Sequence, residues 1–359
     1  MRFIHTADLH LYASLKGSVF KDRTTHEKRV YELRDAFFRL LNHITENAID
    51  CLFIAGDLFD HPFINIESAR AIFTRLADLD ADVFLLIGNH DAFLLTEAYQ
   101  SLLASKNIHV FNKDTTTIKQ EGIAVHGLNT SEFSTERLAT LEATLDTTLF
   151  NVLLLHGDVQ NKKDDHYLTD LKRLEATAFD YIALGHIHKH AFLTDRIAYS
   201  GNLEPLDFSE TDQKGFIEGT IEDKQLETRF VPFAKRAYVR KTLQIGEDWD
   251  EDTLLERIRN LWDEKTRTTD FIRITLKGRK GLHLDLDTAK IARLLSDDFY
   301  HLEIRDETTS SLDLNQLKKA YPDTIIDVMI TQYEAAGDKS DEAALILALE
   351  TLLKESGGV

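Results

Sequence analysis

Along the first ~230 residues, short apolar runs alternate with stretches whose apolar positions recur every three or four residues, which is the pattern of an α/β domain. The runs Phe3–Thr6, Leu52–Ala55, Val83–Ile87, Ile123–His126, Val152–Leu155 and Tyr181–Leu184 read as strands. Between them, residues 27–45 place Val30, Leu33, Phe37, Leu40, Leu41 and Ile44 on one face, and residues 66–79 do so with Ala69, Ile72, Phe73 and Leu76. Shorter helices are expected at 96–103 and 136–145. After residue 190 the pattern changes to hairpins at 191–194, 197–200, 215–221 and 225–231, and Pro232 is expected to end the ladder.

A second periodicity begins near residue 236: strand 238–245, helix 251–262, strand 271–277, helix 288–295, strand 300–304. Residues 1–235 then form one domain, 236–308 a small α/β domain, and 309–359 a helical tail. Leu345, Leu349, Leu352 and Leu353 make an apolar stripe in that tail. The stripe suits packing on the chain's own core, or docking on a partner's coiled coil.

Composition narrows the class. The 359 residues are 43% hydrophobic and 29% charged, and no apolar run approaches the ~18 residues that would span a bilayer. The start of the chain lacks a signal-peptide core, and its one cysteine, Cys51, cannot form an internal disulfide, so cytoplasmic residence without a membrane is expected. A formal charge of −19 argues against a free-standing nucleic-acid binder, although metal ions invert the field around carboxylates.

Five short motifs carry the candidate chemistry: Asp8-Leu9-His10, Gly56-Asp57, Gly88-Asn89-His90-Asp91, His156-Gly157-Asp158 and Gly185-His186-Ile187-His188. Each closely follows a strand-like run, and ligand sites in α/β sheets gather beyond the carboxyl ends of strands. Carboxylate, imidazole and carboxamide oxygen suit Mn, Fe or Zn. In a strand-end Asp-x-His or His-x-His, both outer side chains share one side. Asp57 is the natural bridge between metals about 3.5–4 Å apart.

In this order the motifs resemble the calcineurin-like metallophosphoesterase superfamily. The resemblance implies two packed mixed β-sheets flanked by helices, a four-layer sandwich, with a small capping domain. It assigns Asp8, His10, Asp57 and His188 to one metal, and Asp57, Asn89, His156 and His186 to the second. His90 becomes the non-ligand histidine beside the scissile phosphate, with Asp91 placed to orient it. Phe3–Leu11, Ala55–Asp60 and the segment Tyr199-Ser200-Gly201-Asn202-Leu203-Glu204-Pro205-Leu206-Asp207-Phe208 are similar to the SbcD branch. The chain departs from that branch at Pro205, where Arg is usual, and at Asp60, near which archaeal members carry His.

The narrower resemblance implies a DNA exo- and endonuclease of double-strand-break repair. It would use two divalent ions, expected to be Mn²⁺, to activate a hydroxide, partnered with an SbcC-type ATPase and forming a homodimer. Two alternatives stand beside it: a phosphodiesterase or phosphatase on nucleotides or small phosphoesters, and a non-catalytic scaffold. Candidate substrate contacts are His61, His190, Lys16 and Arg23, with Lys21, Lys162, Lys163, Lys189 and Arg196 as further phosphate-backbone candidates. His5 and His126 read as core residues and Asp158 as a turn residue. His26, His43, His109, His166, His283 and His301 read as surface residues.

Overall fold

A computed structural model describes residues 1–13, 15, 23–60, 64–336 and 342–355. The chain divides into two compact units, Met1–Ala237 and Tyr238–Val359. Among the described residues no helix is long and apolar enough to cross a membrane.

The first unit contains two six-stranded mixed sheets. In chain order the strands are β1 (Arg2–Thr6), β2 (Cys51–Ala55), β3 (Asp82–Leu86), β4 (Ile108–Phe111), β5 (Thr117–Gln120), β6 (Ile123–Leu128), β7 (Phe150–His156), β8 (Tyr181–Gly185), β9 (Ala191–Thr194), β10 (Ile197–Tyr199), β11 (Gly215–Glu222) and β12 (Gln225–Pro232). One sheet has the order β12-β11-β1-β2-β3-β4 and the other β5-β6-β7-β8-β10-β9. Strands β1 to β4 run parallel, as do β6, β7 and β8.

Both faces of each sheet are covered, which explains why the central strands read as unbroken apolar runs. Phe3, Phe53, Phe84 and Phe111 of one sheet meet Val125, Phe150, Val152 and Tyr181 of the other in a core between them. On the outer face of the first sheet, helices Arg23–Glu46 and Ile66–Ala77 bury Phe37, Leu40, Ile72 and Phe73. On that of the second, helices Thr135–Glu142 and Leu171–Glu175 bury Leu138 and Leu174. The result is the α/β sandwich of two mixed sheets flanked by helices. The sheets also share a polar tie: His5 Nδ1 lies 2.9 Å from the Tyr181 hydroxyl, and its Nε2 lies 3.2 Å from Leu184 O.

Several details differ from the pattern expectation. The helix expected at 96–103 shrinks to Glu97–Gln100 after a 3-10 turn at Ala92–Leu95. Strands β4 and β5 carry polar His109, Thr117 and Lys119 at or beside a sheet edge, so no apolar run announces them. Pro232 still pairs with Gly215, because β12 is an edge strand whose last residue needs no outward N–H bond.

The second unit has a parallel three-stranded sheet of β13 (Tyr238–Ile245), β14 (Phe271–Lys280) and β15 (His301–Ser310). Helices Glu251–Arg259 and Thr288–Leu294 bury Leu254, Ile258 and Ile291 in its core. Three further helices follow, Leu314–Ala320, Ile325–Ala336 and Glu342–Glu355. The leucine stripe is used internally, since Leu345, Leu349 and Leu353 pack with Ile326 and Ile330.

Candidate metal centre

The parallel strands of both sheets end at the same edge, and their following loops carry the polar motifs. Asp8 and His10 follow β1, Asp57 follows β2, Asn89 and His90 follow β3, His156 ends β7, and His186 and His188 follow β8. The first two loops continue the ladder beyond the strands. Asp8 N donates to Gly56 O, His10 N to Asp57 O and Leu11 N to Leu58 O, at 3.0–3.1 Å. Asp8, His10 and Asp57 are thereby fixed relative to one another by backbone before any ligand arrives.

That arrangement requires unusual backbone. Asp8, His10, Asp57 and His186 have φ of 53°, 42°, 53° and 95°. Such left-handed conformations in residues with a Cβ cost about 1–3 kcal/mol each and concentrate where function demands them. Gly56, at φ 91°, precedes Asp57, and a Cβ there would strike the His156 ring. A Cβ at Gly88 would strike the Asp57 carboxylate.

Asp57 lies at the middle. Its Oδ1 accepts from His90 N at 3.0 Å, while Oδ2 lies 3.2 Å from His156 Nε2 and 3.8 Å from His10 Nε2. The buried Asp8 carboxylate accepts from His186 N with both oxygens, at 2.9 and 3.0 Å. His10 Nε2 and His188 Nε2 face each other at 3.1 Å, and Asn89 Oδ1 lies 3.0 Å from His156 Nε2. Ligand atoms of Asp8, His10 and His188 fall within 4.8 Å of one another, as do those of Asp8, Asp57 and His156.

The donor set fits a pair of cations. His156 Nδ1 sits 2.8 Å from Ala55 O, an acceptor only, so this nitrogen carries the hydrogen and Nε2 presents its lone pair. That lone pair faces the Asp57 and Asn89 oxygens, which are also electron-pair donors. His188 Nδ1 donates to Glu210 Oε1 at 2.7 Å, leaving its Nε2 lone pair toward His10. The His156 Nε2 lone pair and the Asp57 and Asn89 oxygens, 3.0–3.2 Å away, need positive charge between them, either a proton or a metal ion.

The electrostatics register the same demand. Burial opposes a charged His156, yet Asp57 and then Asp8 outweigh it and raise its pKa to about 9. Burial opposes the charge on Asp57, but His156 and His10 hold its pKa well below the carboxylate range. Burial raises the Asp8 pKa against the pull of His156 and His188. Burial lowers that of His10 to about 3.

Three parts of the expected site change. Asp91 does not orient His90. Its carboxylate is fully buried and accepts from Leu58 N, Phe59 N and Gly88 N at 3.0, 2.9 and 3.3 Å, bracing the loop that carries Asp57. The partner of His90 is Asp60, whose Oδ1 lies 2.9 Å from His90 Nδ1. His186 turns its Nε2 toward Asp164 Oδ1 at 3.3 Å and groups with Asp164 and His166. His166, 37% exposed at the surface as expected, also has its ring 5.0 Å from that of His186.

The substrate candidates fare unevenly. His190 stacks on Phe230 with ring centroids 3.7 Å apart. Arg196 is bound to the carbonyls of Phe179, Glu175 and Thr177, and Lys162 pairs with Asp170 at 2.9 Å, so both cations are already engaged. Lys163 and Lys189 are exposed. Lys16, Lys21 and His61 lie outside the described residues, and Arg23 opens the first helix.

Asp164 and Glu210 were not singled out from the sequence, and Asp60 was noted only as a departure from the SbcD branch. Glu210 is fixed by Asn202 Nδ2 at 2.8 Å, Leu206 N at 3.2 Å and Lys214 Nζ at 3.3 Å, so the segment beginning at Tyr199 supports His188 through it. Proximity to that segment was its only sequence signal.

A solved structure, a dimetal phosphatase from Danio rerio, is similar to this chain at 14% sequence identity, covering 64% of this chain and 95% of its own, with a TM-score of 0.40. Residues 1–190 match the calcineurin-like phosphoesterase family over more than half of the chain, and they carry every candidate metal ligand on these converging loops. The protein therefore belongs to the calcineurin-like phosphoesterases.

Proposed function

We propose that the protein is a metal-dependent DNA nuclease that hydrolyses phosphodiester bonds, acting in double-strand-break repair beside an SbcC-type ATPase and as a homodimer. The observation that carries the hydrolytic part is the position of Asp57, with one carboxylate oxygen between His156 and His10 while the other is held by His90 N. The SbcD-like segments at 3–11, 55–60 and 199–208 support the DNA substrate and the partner. An ATPase partner would supply the basic DNA surface that a chain of charge −19 lacks.

Asp8, His10, Asp57 and His188 would hold one ion. Asp57, Asn89 and His156 would hold the second, with His186 joining through the ring nitrogen not turned to Asp164. When bound, such a pair, expected to be Mn²⁺, supplies Lewis acidity to the phosphoryl oxygens and lowers the pKa of an attacking water. The chain's own residues complete the reaction. Hydrolysis would form a bond between a water oxygen and phosphorus, with the water's proton lost to solvent, and break the bond to O3′. Asp60, as a carboxylate, accepts the Nδ1 hydrogen of His90 and so turns Nε2 outward. His90 is 40% exposed at the mouth of the site, and from Nε2 its protonated ring gives a proton to the departing O3′.

The test uses purified protein with Mn²⁺ and end-labelled DNA, with and without a cognate ATPase, and compares wild type with Asp57→Ala. We expect nucleotide release from wild type only. A second reading, hydrolysis of nucleotides or other small phosphoesters, is favoured by the acidic groove beside Asn89, which has no lysine or arginine among its described lining residues. Turnover of bis-p-nitrophenyl phosphate with DNA left intact under all conditions selects that reading instead.

A further inference from the structure

The loops after β3 and β6 face each other across a groove of about 430 Å³ that opens at Asn89. A second hollow of about 290 Å³ continues it toward Tyr167 and Leu168, sharing Thr130, Asp165 and His166 with the first. The groove therefore starts at a candidate metal ligand and leads away from it.

Its two walls differ in chemistry. One is apolar, built from Ile87, Ala92 and Leu95, and Leu95 is 37% exposed despite its size. The other carries the Ser131 hydroxyl, the Thr130 hydroxyl, whose hydrogen goes to His156 O, and the carboxylates of Glu132 and Asp165. Among the described residues lining either hollow there is no lysine or arginine. A phosphate there would face the carboxylates of Asp165 and Glu132, of which only Glu132 has a cation beside it, Arg137 at 3.6 Å, and this is unfavourable. An uncharged group with a flat apolar face and a hydroxyl-bearing edge fits both walls. The volume falls in the range of small-ligand sites and suits one such group.

We propose that this groove is the subsite for a single nucleoside, the one esterified to the scissile phosphate through its 5′ oxygen, and that it rejects a nucleoside carrying a further 3′-phosphate. The proposal rests on the phosphodiesterase reading above and adds which part of the substrate the chain recognises. The base lies on the Leu95 wall, the sugar hydroxyl meets Ser131 or donates to the Thr130 oxygen, and Asp165, backed by Glu132, excludes the extra charge.

Three esters with the same leaving group test this with Mn²⁺: methyl p-nitrophenyl phosphate, thymidine 5′-(p-nitrophenyl phosphate) and the 3′-phosphorylated form of the latter. We expect wild type to prefer the thymidine ester over the other two by about tenfold or more in kcat/KM. Leu95→Glu should lower the thymidine-to-methyl ratio about tenfold through KM, and Ser131→Trp, which fills the groove from the opposite wall, should do the same. Glu132→Lys with Asp165→Lys should raise the relative rate on the 3′-phosphorylated ester. Equal ratios in wild type and both groove variants, or a preference for the 3′-phosphorylated ester, overturn the proposal while leaving hydrolysis intact. If no ester is cleaved, the hydrolytic reading fails by itself. The groove is then judged by saturation-transfer NMR with thymidine: a signal abolished by Leu95→Glu supports it, and no signal from wild type overturns it.

Discussion

At the residue scale, four histidine rings at or beside the centre are each held by a second group. Ala55 O fixes His156, Glu210 fixes His188, Asp164 fixes His186 and Asp60 fixes His90. Such partners choose which nitrogen carries hydrogen and so which is free to act. For His90 the consequence is a role in proton transfer apart from metal binding. His90→Ala should retain the wild-type metal content by inductively coupled plasma mass spectrometry and lose about 10²–10⁴ in kcat on DNA. A matched loss of metal would assign His90 to the ligands. Asp91 carries a different burden. Burial, then the nearby Asp57 charge, raises its pKa to about 7 despite three backbone donors. Asp91→Asn turns one acceptor into a donor facing backbone N–H groups. It should cost about 1–3 kcal/mol in urea unfolding, with weaker Mn²⁺ binding because the Asp57 loop loosens.

At the element scale, helix Arg23–Glu46 does more than cover the first sheet. Its Arg29 is buried, with contacts at 3.1 Å to Glu32, 3.0 Å to Glu204 and 2.7 Å to Pro205 O. Arg39 reaches the other Glu204 oxygen at 3.2 Å, and Arg236 reaches Glu32 at 2.8 Å. This cluster anchors the segment that continues to Glu210 and hence to His188. Removing one member of a buried ion cluster strands the others, at a cost of about 3–5 kcal/mol. Arg29→Met should lose that much in equilibrium unfolding. Arg29→Met with Glu204→Leu should recover part of it, and full additivity of the two substitutions would argue that the residues are uncoupled. The helical period of residues 27–45 was legible because its apolar face is one continuous stripe. Arg29 was not, because a buried cation looks like a surface cation until Glu204 and Pro205, some 175 residues away, are brought beside it.

At the scale of the whole molecule, ion pairs across the first sheet make stability depend on pH. Glu218 of β11 sits 2.8 Å from Arg2 of β1 and 3.2 Å from Arg229 of β12. Burial works against its charge, but the Arg2 hydrogen bond and the Arg229 charge outweigh burial and lower its pKa in the folded state. Its contribution is therefore complete above the ordinary carboxylate range, about 4.3, and is lost as pH falls through the lower folded value. Wild type should melt higher than Glu218→Gln by a constant margin from about pH 5 to 8, and the margin should close below about pH 4. A margin that grows on acidification would contradict the assignment. The same scale governs metal chemistry, since the ligands come from both sheets and converge only when the sandwich has closed.

The linear order of residues was enough to specify the alternating α/β pattern, the strands that end in Asp8, Asp57, Asn89, His156 and His186, and the residue types suited to a divalent pair. Local periodicity and motif spacing carry that information, because each strand is a contiguous apolar run and each ligand lies within four residues of a strand end. Folding alone decided which carboxylate serves which histidine. Asp60 rather than Asp91 faces His90, and Asp164 and Glu210 stand behind His186 and His188. It also decided that a groove with no lysine or arginine among its described lining residues opens beside Asn89. Those pairings depend on the direction of side chains from loops distant in the chain, and an acid that supports a ligand has no local signature separating it from the many that face water.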